Sequence, residues 1–378
     1  MNLVYISNSI IPSRTANSIH VMKMCQAFAD NGHEVVLLAP DIKQMYEKNI
    51  DDVFLYYGVR KNFNIKKLYR PNIIGGGLFY TLAIFFFLLF NNKYHLIYGR
   101  FLHGCYVATL LKNKVVFETH EIIFKNNNNK LLIFKKLLKS KYFKKLVVIS
   151  QALKNIYLEK GYLNETKIKV AHDGADEVEN FNDRIKLFGN KNSLKVGYVG
   201  HLYHGRGIDM IIECAKQLND VEFHLVGGIE EDINFWKNYL KNLNLNNVYF
   251  YGFVNPNETI KYRNCFDILM APYSNKVSVH GNIGDSSKFM SPLKIFEYMS
   301  SKKAIIASDL LVLREVLNSK NSILVEPENI NDWVNAINKL RKQENRDFIA
   351  NNAFKDFKNF TWKTRALQII DKDKLLFH

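Results

Sequence analysis

A glycine-rich turn with an arginine lies between a predicted strand and a predicted helix at residues 200–207, and its composition suits phosphate binding. Residues 194–199 are mostly apolar, and the apolar spacing after the turn predicts a helix. Gly200 and Gly205 would let backbone N–H groups approach an anion, and Arg206 adds a guanidinium beside the positive end of the helix dipole. The turn has neither the GxGxxG nor the Walker pattern. An ordinary turn with a surface arginine is the alternative interpretation.

A second helix start that could bind an anion is predicted at SPLKIFEYM, residues 291–299. Ser291 as N-cap and Pro292 as the first helical residue predict a helix N-terminus with free N–H groups. Lys294 lies in the first turn, where the helix dipole disfavours a cation, so we expect it to contact an anionic ligand. Glu297, one turn further, could accept two hydrogen bonds from a ribose; an exposed helical glutamate is the alternative.

His120 follows a third predicted strand end, in the sequence VVFETH. Its imidazole could position a substrate hydroxyl or take a proton, although a lone histidine is more often structural. Asp173 and Asp176 have a DxxD spacing in VAHDGAD, where a turn is favoured over a metal site. The DxD string at 371–373 lies in a lysine-rich tail and is expected at the surface.

Strand and helix patterns alternate along the chain in two series. The first has predicted strands at 3–7, 34–39, 95–98, 115–118, 146–149 and 168–171, with a helix that begins at Asn17 or Ser18. The second begins at Leu194, after a polar linker at 177–193, and a helix is predicted at 360–370. Such alternation predicts parallel sheets covered on both faces, with ligands at the carboxyl ends of the strands.

Positive charge is concentrated in one stretch. The 378 residues carry a net charge of +16, and residues 53–150 hold 17 Lys and Arg against two acids, Glu118 and Glu121. An anionic membrane surface is the favoured partner and a merely solvated basic face the alternative, while no nucleic-acid-binding motif is present. The four cysteines lack disulfide or zinc spacing, which predicts free thiols in a reducing compartment.

The longest apolar run, at residues 78–90, is too short to cross a membrane. A helix of this length rises about 20 Å, against a hydrocarbon core of about 30 Å. We interpret it as a core-facing helix of an α/β domain, and a segment in the membrane interface is the alternative. The N-terminal sequence lacks the pattern of a signal peptide.

Together these motifs resemble the retaining glycosyltransferases of family 4, which have the GT-B fold. The resemblance rests on the Arg206 turn, YGFV at 251–254, VAHDGAD at 170–176, SPLKIFEYMSSKKAIIASDLLVLREV at 291–316, FTWKTRA at 360–366 and NSIHVMKMCQAFADNGHEVVLLAP at 17–40. It covers nearly the whole chain and is poorest over 42–93. It implies an α/β GT-B architecture of two Rossmann-like, doubly wound domains facing across a cleft.

The resemblance also implies domain roles. Residues 1–185 would bind the acceptor, with a C-terminal helix at 360–378 packing back on them, and residues 186–359 would bind a nucleotide-sugar donor. The implied donor-binding residues are Gly200, His201, Gly205, Arg206, Phe253, Val254, Ser291, Pro292, Leu293, Lys294 and Glu297. The implied acceptor-side residues are Asn17, Ser18 and His120, and the implied catalytic residues are His120 and Arg206.

Within the donor set, the resemblance assigns the diphosphate to Arg206 and the ribose to Glu297. Phe253 and Val254 would line the base, and the residues at 291–294 would offer backbone N–H groups. His201 stands where the family usually has an arginine.

Phe289 departs from the family pattern. It occupies the position of the first glutamate of the EX7E motif, which usually contacts the donor sugar, and Asp285 is a candidate substitute. The implied reaction retains the anomeric configuration by attack on the face that the diphosphate leaves, and that diphosphate takes the acceptor proton. It needs no metal or other cofactor.

The expected donor is a UDP-sugar or GDP-sugar. The expected acceptor is a glycan or lipid-linked molecule in surface polysaccharide assembly, such as that of capsule or lipopolysaccharide. The expected location is the cytoplasm, at the inner face of the membrane. A GT-B-fold nucleotide-sugar epimerase and a non-catalytic membrane-associated partner of another transferase are the alternatives. A NAD-dependent dehydrogenase is disfavoured because neither half has the GxGxxG pattern.

Overall fold

The computed structural model describes residues 1–91, 93–123, 128–203, 205–276 and 285–370. His204 of the predicted phosphate-binding turn and the DxD string at 371–373 lie outside the described residues. The chain divides into two compact units. The first is Met1–Asp173 with the segment from Trp362 onward, and the second is Gly174–Thr361.

The first unit contains a seven-stranded parallel sheet in the order β3-β2-β1-β4-β5-β6-β7. Its strands are β1 Asn2–Ile6, β2 Glu34–Asp41, β3 Asn64–Tyr69, β4 Leu96–Gly99, β5 Val115–Thr119, β6 Phe143–Val148 and β7 Ile168–Val170. Its helices are α1 Ala16–Asp30, α2 Val53–Tyr57, α3 Gly76–Phe90, α4 Leu102–Leu110, α5 Asn128–Lys139, α6 Gln151–Glu159 and, from the chain end, α13 Trp362–Ile369.

The second unit contains a six-stranded parallel sheet in the order β10-β9-β8-β11-β12-β13. Its strands are β8 Leu194–Val199, β9 Val221–Val226, β10 Val248–Gly252, β11 Ile268–Ala271, β12 Ala304–Ser308 and β13 Ile323–Val325. Its helices are α7 Ile208–Gln217, α8 Glu230–Asn242, α9 Thr259–Arg263, α10 Leu293–Ser300, α11 Ile330–Lys339 and α12 Gln343–Phe357. The two parallel sheets confirm the predicted α/β class with two Rossmann-like domains.

Two helix starts differ from the sequence prediction. Thr15, rather than Asn17 or Ser18, is the N-cap of α1, and its hydroxyl accepts a hydrogen bond from the backbone N–H of Ser18 at 3.2 Å. Pro292, rather than Ser291, is the N-cap of α10, so the first helical residue is Leu293. At α1 the residues Thr15, Asn17 and Ser18 have similar capping propensity, so the sequence alone does not choose among them. At α10 the shift is one residue, which is within the usual uncertainty of helix ends.

The predicted linker packs against the second unit, which moves the division of the chain from 185/186 to 173/174. Nδ2 of Asn264 donates hydrogen bonds to the backbone carbonyls of Asn180 and Asp183. The ring of Phe188 stacks on Tyr251, with the ring centroids 5.2 Å apart. These contacts anchor the polar segment to the sheet of the second unit.

The predicted helix at 360–370 is confirmed as α13, which packs on α1 within the first unit. Arg365 on α13 is buried, and its Nη2 lies 2.8 Å from Oε1 of the fully buried Glu118 on β5. Nε of Arg365 also donates to the backbone carbonyl of His172 at 2.8 Å. The guanidinium therefore links the C-terminal helix to the carboxyl ends of β5 and β7.

We expect Arg365→Met to lower the free energy of unfolding by roughly 3–5 kcal/mol, because it leaves the Glu118 carboxylate buried without its cation. Arg341→Met is the matched control, since Arg341 pairs with Asp220 at the surface and an exposed pair contributes about 1 kcal/mol or less. Urea denaturation of both variants measures the difference.

The Arg365→Met result should depend on pH. Burial alone would raise the pKa of Glu118, but Arg365 and His20 hold it well below its ordinary value. The ionised Glu118 therefore stabilises the folded protein at pH values above about 4.3, the pKa of a glutamate in the unfolded chain. This stabilisation is lost as the pH falls through the lower pKa of the folded state. The difference between wild type and Arg365→Met should therefore shrink on acidification, and equal losses in the two arginine variants at neutral pH would contradict the assignment.

Candidate functional site

Three glycines bring the carboxyl ends of β8, β9 and β10 together in the second unit. The backbone N–H of Gly200 donates to the carbonyl of Val226 at 2.9 Å, and that of Gly227 donates to the carbonyl of Gly252 at 2.7 Å. Gly227 has φ +114°, and a β-carbon there would lie 2.2 Å from the carbonyl oxygen of Gly200. Only glycine permits this approach, which leaves an open backbone surface beside the strand ends.

Arg206 and Lys294 lie beside this surface and share an aromatic surrounding. The ammonium of Lys294 is 3.9 Å from the ring centroid of Tyr198 and 5.0 Å from that of Tyr273. The guanidinium carbon of Arg206 is 4.8 Å from the ring centroid of Tyr203 and 5.9 Å from that of Tyr273. Cation–π contacts of this kind stabilise the two charges in the absence of an anion.

The charged atoms of these two residues are incompletely paired. Nε of Arg206 and Nζ of Lys294 are buried, and neither has a hydrogen-bond partner within the described part of the chain. Burial and the neighbouring Arg206 lower the pKa of Lys294 well below its ordinary value. Two neighbouring, partly desolvated basic groups with unpaired N–H groups offer the donors that a bound anion would need.

Glu297 lies on α10, one turn after Lys294. Its Oε2 is 3.7 Å from Nη1 of Arg263, and about 29% of its side chain is exposed. Nε of Arg263 donates to the hydroxyl of Ser301 at 2.9 Å, which fixes the guanidinium that faces the carboxylate. Glu297 is therefore positioned and still accessible to a polar ligand.

The other predicted donor residues are neighbours of these groups along the chain. Lys294 occupies the space beside Gly200, since a β-carbon at Gly200 would lie 3.1 Å from the ammonium. Gly205, with φ +83°, precedes Arg206, while His201 follows Gly200. Phe253 and Val254 directly follow β10 and are half-buried; Ser291, Pro292 and Leu293 lead into α10.

Phe289 is buried in the turn that precedes α10, and its backbone N–H donates to the carbonyl of Ser286 at 3.1 Å. Oδ1 of Asp285 accepts from the backbone N–H of Ser287 at 2.9 Å. Asp285, the candidate substitute for the glutamate that Phe289 replaces, thus uses one carboxylate oxygen to support this turn.

A second candidate site, in the first unit, is a buried cluster of ionisable groups around Glu118. Its Oε1 lies 2.5 Å from Nε2 of His120, 2.8 Å from Nη2 of Arg365 and 3.1 Å from Nε2 of His20. The other ring nitrogen of His20, Nδ1, is 2.9 Å from Oδ1 of Asp173. The cluster joins α1, β5, α13 and the segment after β7.

Burial and the neighbouring charged groups together determine the protonation of His120. Burial and the charge of Arg100 lower the pKa of His120 to about 4, although Asp173 and Glu118 oppose the shift. The ring is therefore neutral at pH 7. Because Glu118 is ionised and can only accept, Nε2 of His120 carries the proton. Nδ1 is then left with a lone pair, as a base or a hydrogen-bond acceptor requires.

His20, Glu118, His120 and Asp173 together offer four ligand atoms within 4.8 Å of one another, a spacing that a metal ion could bridge. Arg365 argues against a cation at this position, because its guanidinium already contacts Oε1 of Glu118. A divalent ion would have to displace a buried arginine or lie against its charge. The donor set fits internal charge pairing better than it fits a metal.

Asn17 and Ser18 lie in the first turn of α1. Asn17 is exposed, whereas the buried hydroxyl of Ser18 donates to the backbone carbonyls of Ser13 at 2.9 Å and Thr15 at 2.8 Å. The Asn17 side chain is thus accessible to solvent, and the Ser18 hydroxyl supports the turn.

Several residues of both candidate sites escape sequence reasoning. In the second unit these are Tyr198, Tyr273, Gly227 and Arg263; in the first they are His20 and the Arg365–Glu118 pair. Gly227 could have been found from the sequence, because it directly follows the strand pattern VEFHLV. The aromatic and ionic partners carry no local signal, since they come from distant segments.

Comparison with known proteins places both units in one class. The protein-family model described as "Glycosyltransferase Family 4" matches residues 18–179. The family model described as "Glycosyl transferases group 1" matches residues 193–343. An uncharacterized glycosyltransferase of Methanocaldococcus jannaschii is 26% identical, over 96% of this chain and 95% of that protein.

Solved structures share the fold. Sucrose-phosphate synthase of Thermosynechococcus elongatus superposes with a TM-score of 0.74 at 17% identity, covering 100% of this chain and 99% of the other. HepE of Anabaena, in complex with UDP-glucose, superposes with a TM-score of 0.71 at 16% identity, covering 98% of both chains. The two family models identify this chain as a glycosyltransferase, and its architecture is that of the GT-B fold.

Proposed function

We propose that this protein transfers a sugar from a nucleotide-sugar donor to a hydroxyl of a glycan or lipid-linked acceptor, with retention of the anomeric configuration. The observation that carries the donor assignment is the convergence of Arg206 and Lys294 on the strand-end glycines. A nucleoside diphosphate supplies the anion that these buried charged atoms lack. Glu297 is placed to accept hydrogen bonds from the ribose.

The proposed chemistry uses these groups to stabilise a leaving group. The bond between the sugar C1 and the diphosphate oxygen breaks, and a bond forms between C1 and the acceptor oxygen on the same face. The acceptor proton passes to the departing diphosphate. Arg206, Lys294 and the N-termini of α7 and α10 would stabilise the negative charge that develops there, the largest catalytic contribution expected of such a site.

A uracil nucleotide is the first donor to test. HepE, which shares the fold, has been crystallised with UDP, with UDP and glucose, and with UDP-glucose. A GDP-sugar is the second choice. Phe253 and Val254, half-buried after β10, are proposed to contact the base.

We place the acceptor function on the first unit. His120, neutral and held through Nε2 by Glu118, would present Nδ1 to the acceptor hydroxyl, with Asn17 as a further contact. We propose that the reaction needs no metal or other cofactor. For the buried cluster of the first unit, the Arg365 contact to Glu118 supports this, because a cation cannot readily use that carboxylate.

We further propose that the enzyme works in the cytoplasm at an anionic membrane surface, on an acceptor for surface polysaccharide such as capsule or lipopolysaccharide. The concentration of 17 Lys and Arg in residues 53–150, against two acids, supports this location. Among the described residues, no helix combines the length and hydropathy that crossing a bilayer requires.

The donor site predicts a selective thermal shift. Of UDP, GDP, ADP and CMP, one nucleotide at 100 times its Kd should stabilise the protein by about 2.7 kcal/mol, a rise of a few degrees in Tm. Arg206→Ala and Glu297→Ala should each lose this shift, whereas Arg341→Ala, at the surface of the same unit, should keep it. NAD serves as the negative control.

Phe289 gives a second candidate function its specific support, because the carboxylate expected at this position is absent. A non-catalytic partner of another transferase would bind no nucleotide in the thermal-shift panel and show no donor turnover.

A nucleotide-sugar epimerase would convert the donor without an acceptor, and NMR of the sugar would reveal the changed stereocentre. A retaining transferase instead yields, from slow donor hydrolysis, a sugar whose initial anomer matches the donor.

Lys294 predicts proton uptake when a nucleoside diphosphate binds. The diphosphate charge should raise the depressed pKa of Lys294, so that the lysine takes up a proton on binding at a pH between its depressed pKa and the ordinary lysine pKa. Calorimetry in two buffers of different ionisation enthalpy measures this uptake.

Lys294→Met should abolish the uptake and weaken nucleotide binding about 10- to 100-fold, as expected for the loss of a charged hydrogen bond. Lys339→Met, an exposed lysine of the same unit, is the matched control. Uptake that persists in Lys294→Met would assign the proton to another group.

His120 predicts an unusual titration. Its NMR signal, assigned by comparison with His120→Gln, should report a neutral ring protonated at Nε2 from pH 8 down to 5 and titrate near pH 4. Because the unfolded chain takes up this proton first, the free energy of unfolding should fall as the pH drops from about 6.5 to about 4. Titration of the His120 signal near pH 6.5 would contradict the assigned environment.

A further inference from the structure

Helix α3 exposes a continuous apolar stripe. Six large apolar side chains of the helix are exposed, with Phe86 at 51% and Phe90 at 78%; the six are Leu78, Phe79, Leu82, Phe86, Leu89 and Phe90. At 100° per residue they fall within an arc of about 120°, and the stripe runs about 18 Å along the helix. Ile73 and Ile74, just before the helix, extend the exposed apolar surface.

The opposite side of α3 packs on the unit and accounts for its folding. Tyr80, Ile84 and Leu88 are buried at four-residue spacing, and α3 packs on β3 and α4. The helix contains no charged residue at all. A surface helix normally turns a polar face to water, so an exposed apolar stripe of this length marks an interaction surface.

Basic residues flank the stripe. Arg70 precedes α3 and Lys93 follows it, and the adjoining edge strand β3 carries Lys66 and Lys67. The whole stretch 53–150 has a net charge of +15, from 17 bases and two acids. This charge is complementary to an anionic lipid surface.

A groove at the C-terminal end of α3 is lined by both apolar and basic side chains. It has a volume of about 470 Å³ and is lined by Leu88, Leu89 and Tyr94 on the helix side and by Lys112 and Lys114 on the α4–β5 turn. Apolar side chains beside two ammonium groups match the junction of an acyl chain with a phosphate headgroup.

We propose that α3 lies in the plane of an anionic phospholipid membrane, with its exposed stripe inserted among the acyl chains and the groove around Lys112 and Lys114 receiving headgroup phosphates. Its 15 residues span about 22 Å, too short to cross the bilayer but ample for an interfacial helix. The stripe then supplies hydrophobic anchoring and the surrounding lysines supply electrostatic attraction. This inference rests on the membrane association proposed above and is independent of the proposed sugar transfer.

Depth-dependent fluorescence quenching tests the insertion directly. Phe86→Trp places an indole in the stripe, and vesicles of phosphatidylcholine and phosphatidylglycerol with brominated acyl chains quench only inserted indoles. We expect a blue shift and quenching of at least half of the added fluorescence. Phe348→Trp, at an exposed phenylalanine of α12, is the matched control and should show neither change.

Vesicle co-sedimentation separates the hydrophobic contribution of the stripe from the electrostatic contribution of the lysines. Phe79→Ser/Phe86→Ser/Phe90→Ser should lower binding at 0.5 M NaCl at least tenfold, where electrostatic attraction is screened. Lys135→Gln/Lys136→Gln/Lys139→Gln, on exposed positions of α5, should lower binding at low salt on the order of 100-fold. Phe235→Ser/Phe348→Ser, at exposed phenylalanines of the second unit, should bind as the wild type does.

Each outcome decides the proposal. Sedimentation of Phe86→Trp without quenching of its added indole would overturn insertion and leave electrostatic attachment alone, and absence of sedimentation would overturn the membrane association itself. A concentration-dependent dimer lost in Phe79→Ser/Phe86→Ser/Phe90→Ser, with no quenching, would assign the stripe to a second copy of this chain. The nucleotide thermal shift should be unchanged in all of these variants, so its failure would count against sugar transfer and not against insertion.

Discussion

The desolvation of Arg206 and Lys294 is the constraint on which the second unit depends. Burying a charged atom without a partner is costly, and the fold meets part of that cost with the rings of Tyr198 and Tyr273. No hydrogen bond among the described residues offsets the rest of that cost for Nε of Arg206 or Nζ of Lys294. Glycine at these strand ends has a physical reason, because a β-carbon at Gly200 would lie 3.1 Å from the Lys294 ammonium and one at Gly227 would collide with the backbone of Gly200.

The first unit uses buried charge in the opposite way. Glu118 accepts hydrogen bonds from His120 and Arg365 and lies 3.1 Å from Nε2 of His20, so its charge is matched within the protein. That cluster joins the C-terminal helix to the sheet and also orients His120. A single carboxylate therefore contributes both to stability and to the protonation of a proposed acceptor-side residue. Changes at Glu118 would mix the two effects, whereas NMR of His120 and denaturation of Arg365→Met separate them.

The sequence predicts those parts of the fold and candidate site that depend on neighbours along the chain. The buried strands, the Gly200 and Arg206 turn and the start of α10 near Lys294 all follow from local patterns. The strand β3, by contrast, lies at a sheet edge and reads NIKKLY, with four of its six positions exposed, so its apolar signal is weak.

Contacts between distant segments are not accessible in this way. His20 and Asp173 are 153 residues apart, and Arg365 and Glu118 are 247 residues apart. Each residue has a common structural interpretation when it is considered alone. Their joint burial and charge pairing exist only after the sheet of the first unit has formed, which explains why the sequence indicated His120 and not the groups that set its pKa.

The positive charge and the apolar stripe of the first unit constrain each other's interpretation. Among the bases of residues 53–150, Arg100 faces the buried cluster, while Lys135, Lys136 and Lys139 lie exposed on α5. Nucleic acid would satisfy the lysines but would leave the apolar stripe of α3 in water. A protein partner could cover the stripe, but it would need an acidic surface around its apolar contact to match the lysines. An anionic bilayer offers both a phosphate layer and a hydrocarbon layer at the separation that an interfacial helix requires, so one partner accounts for both features.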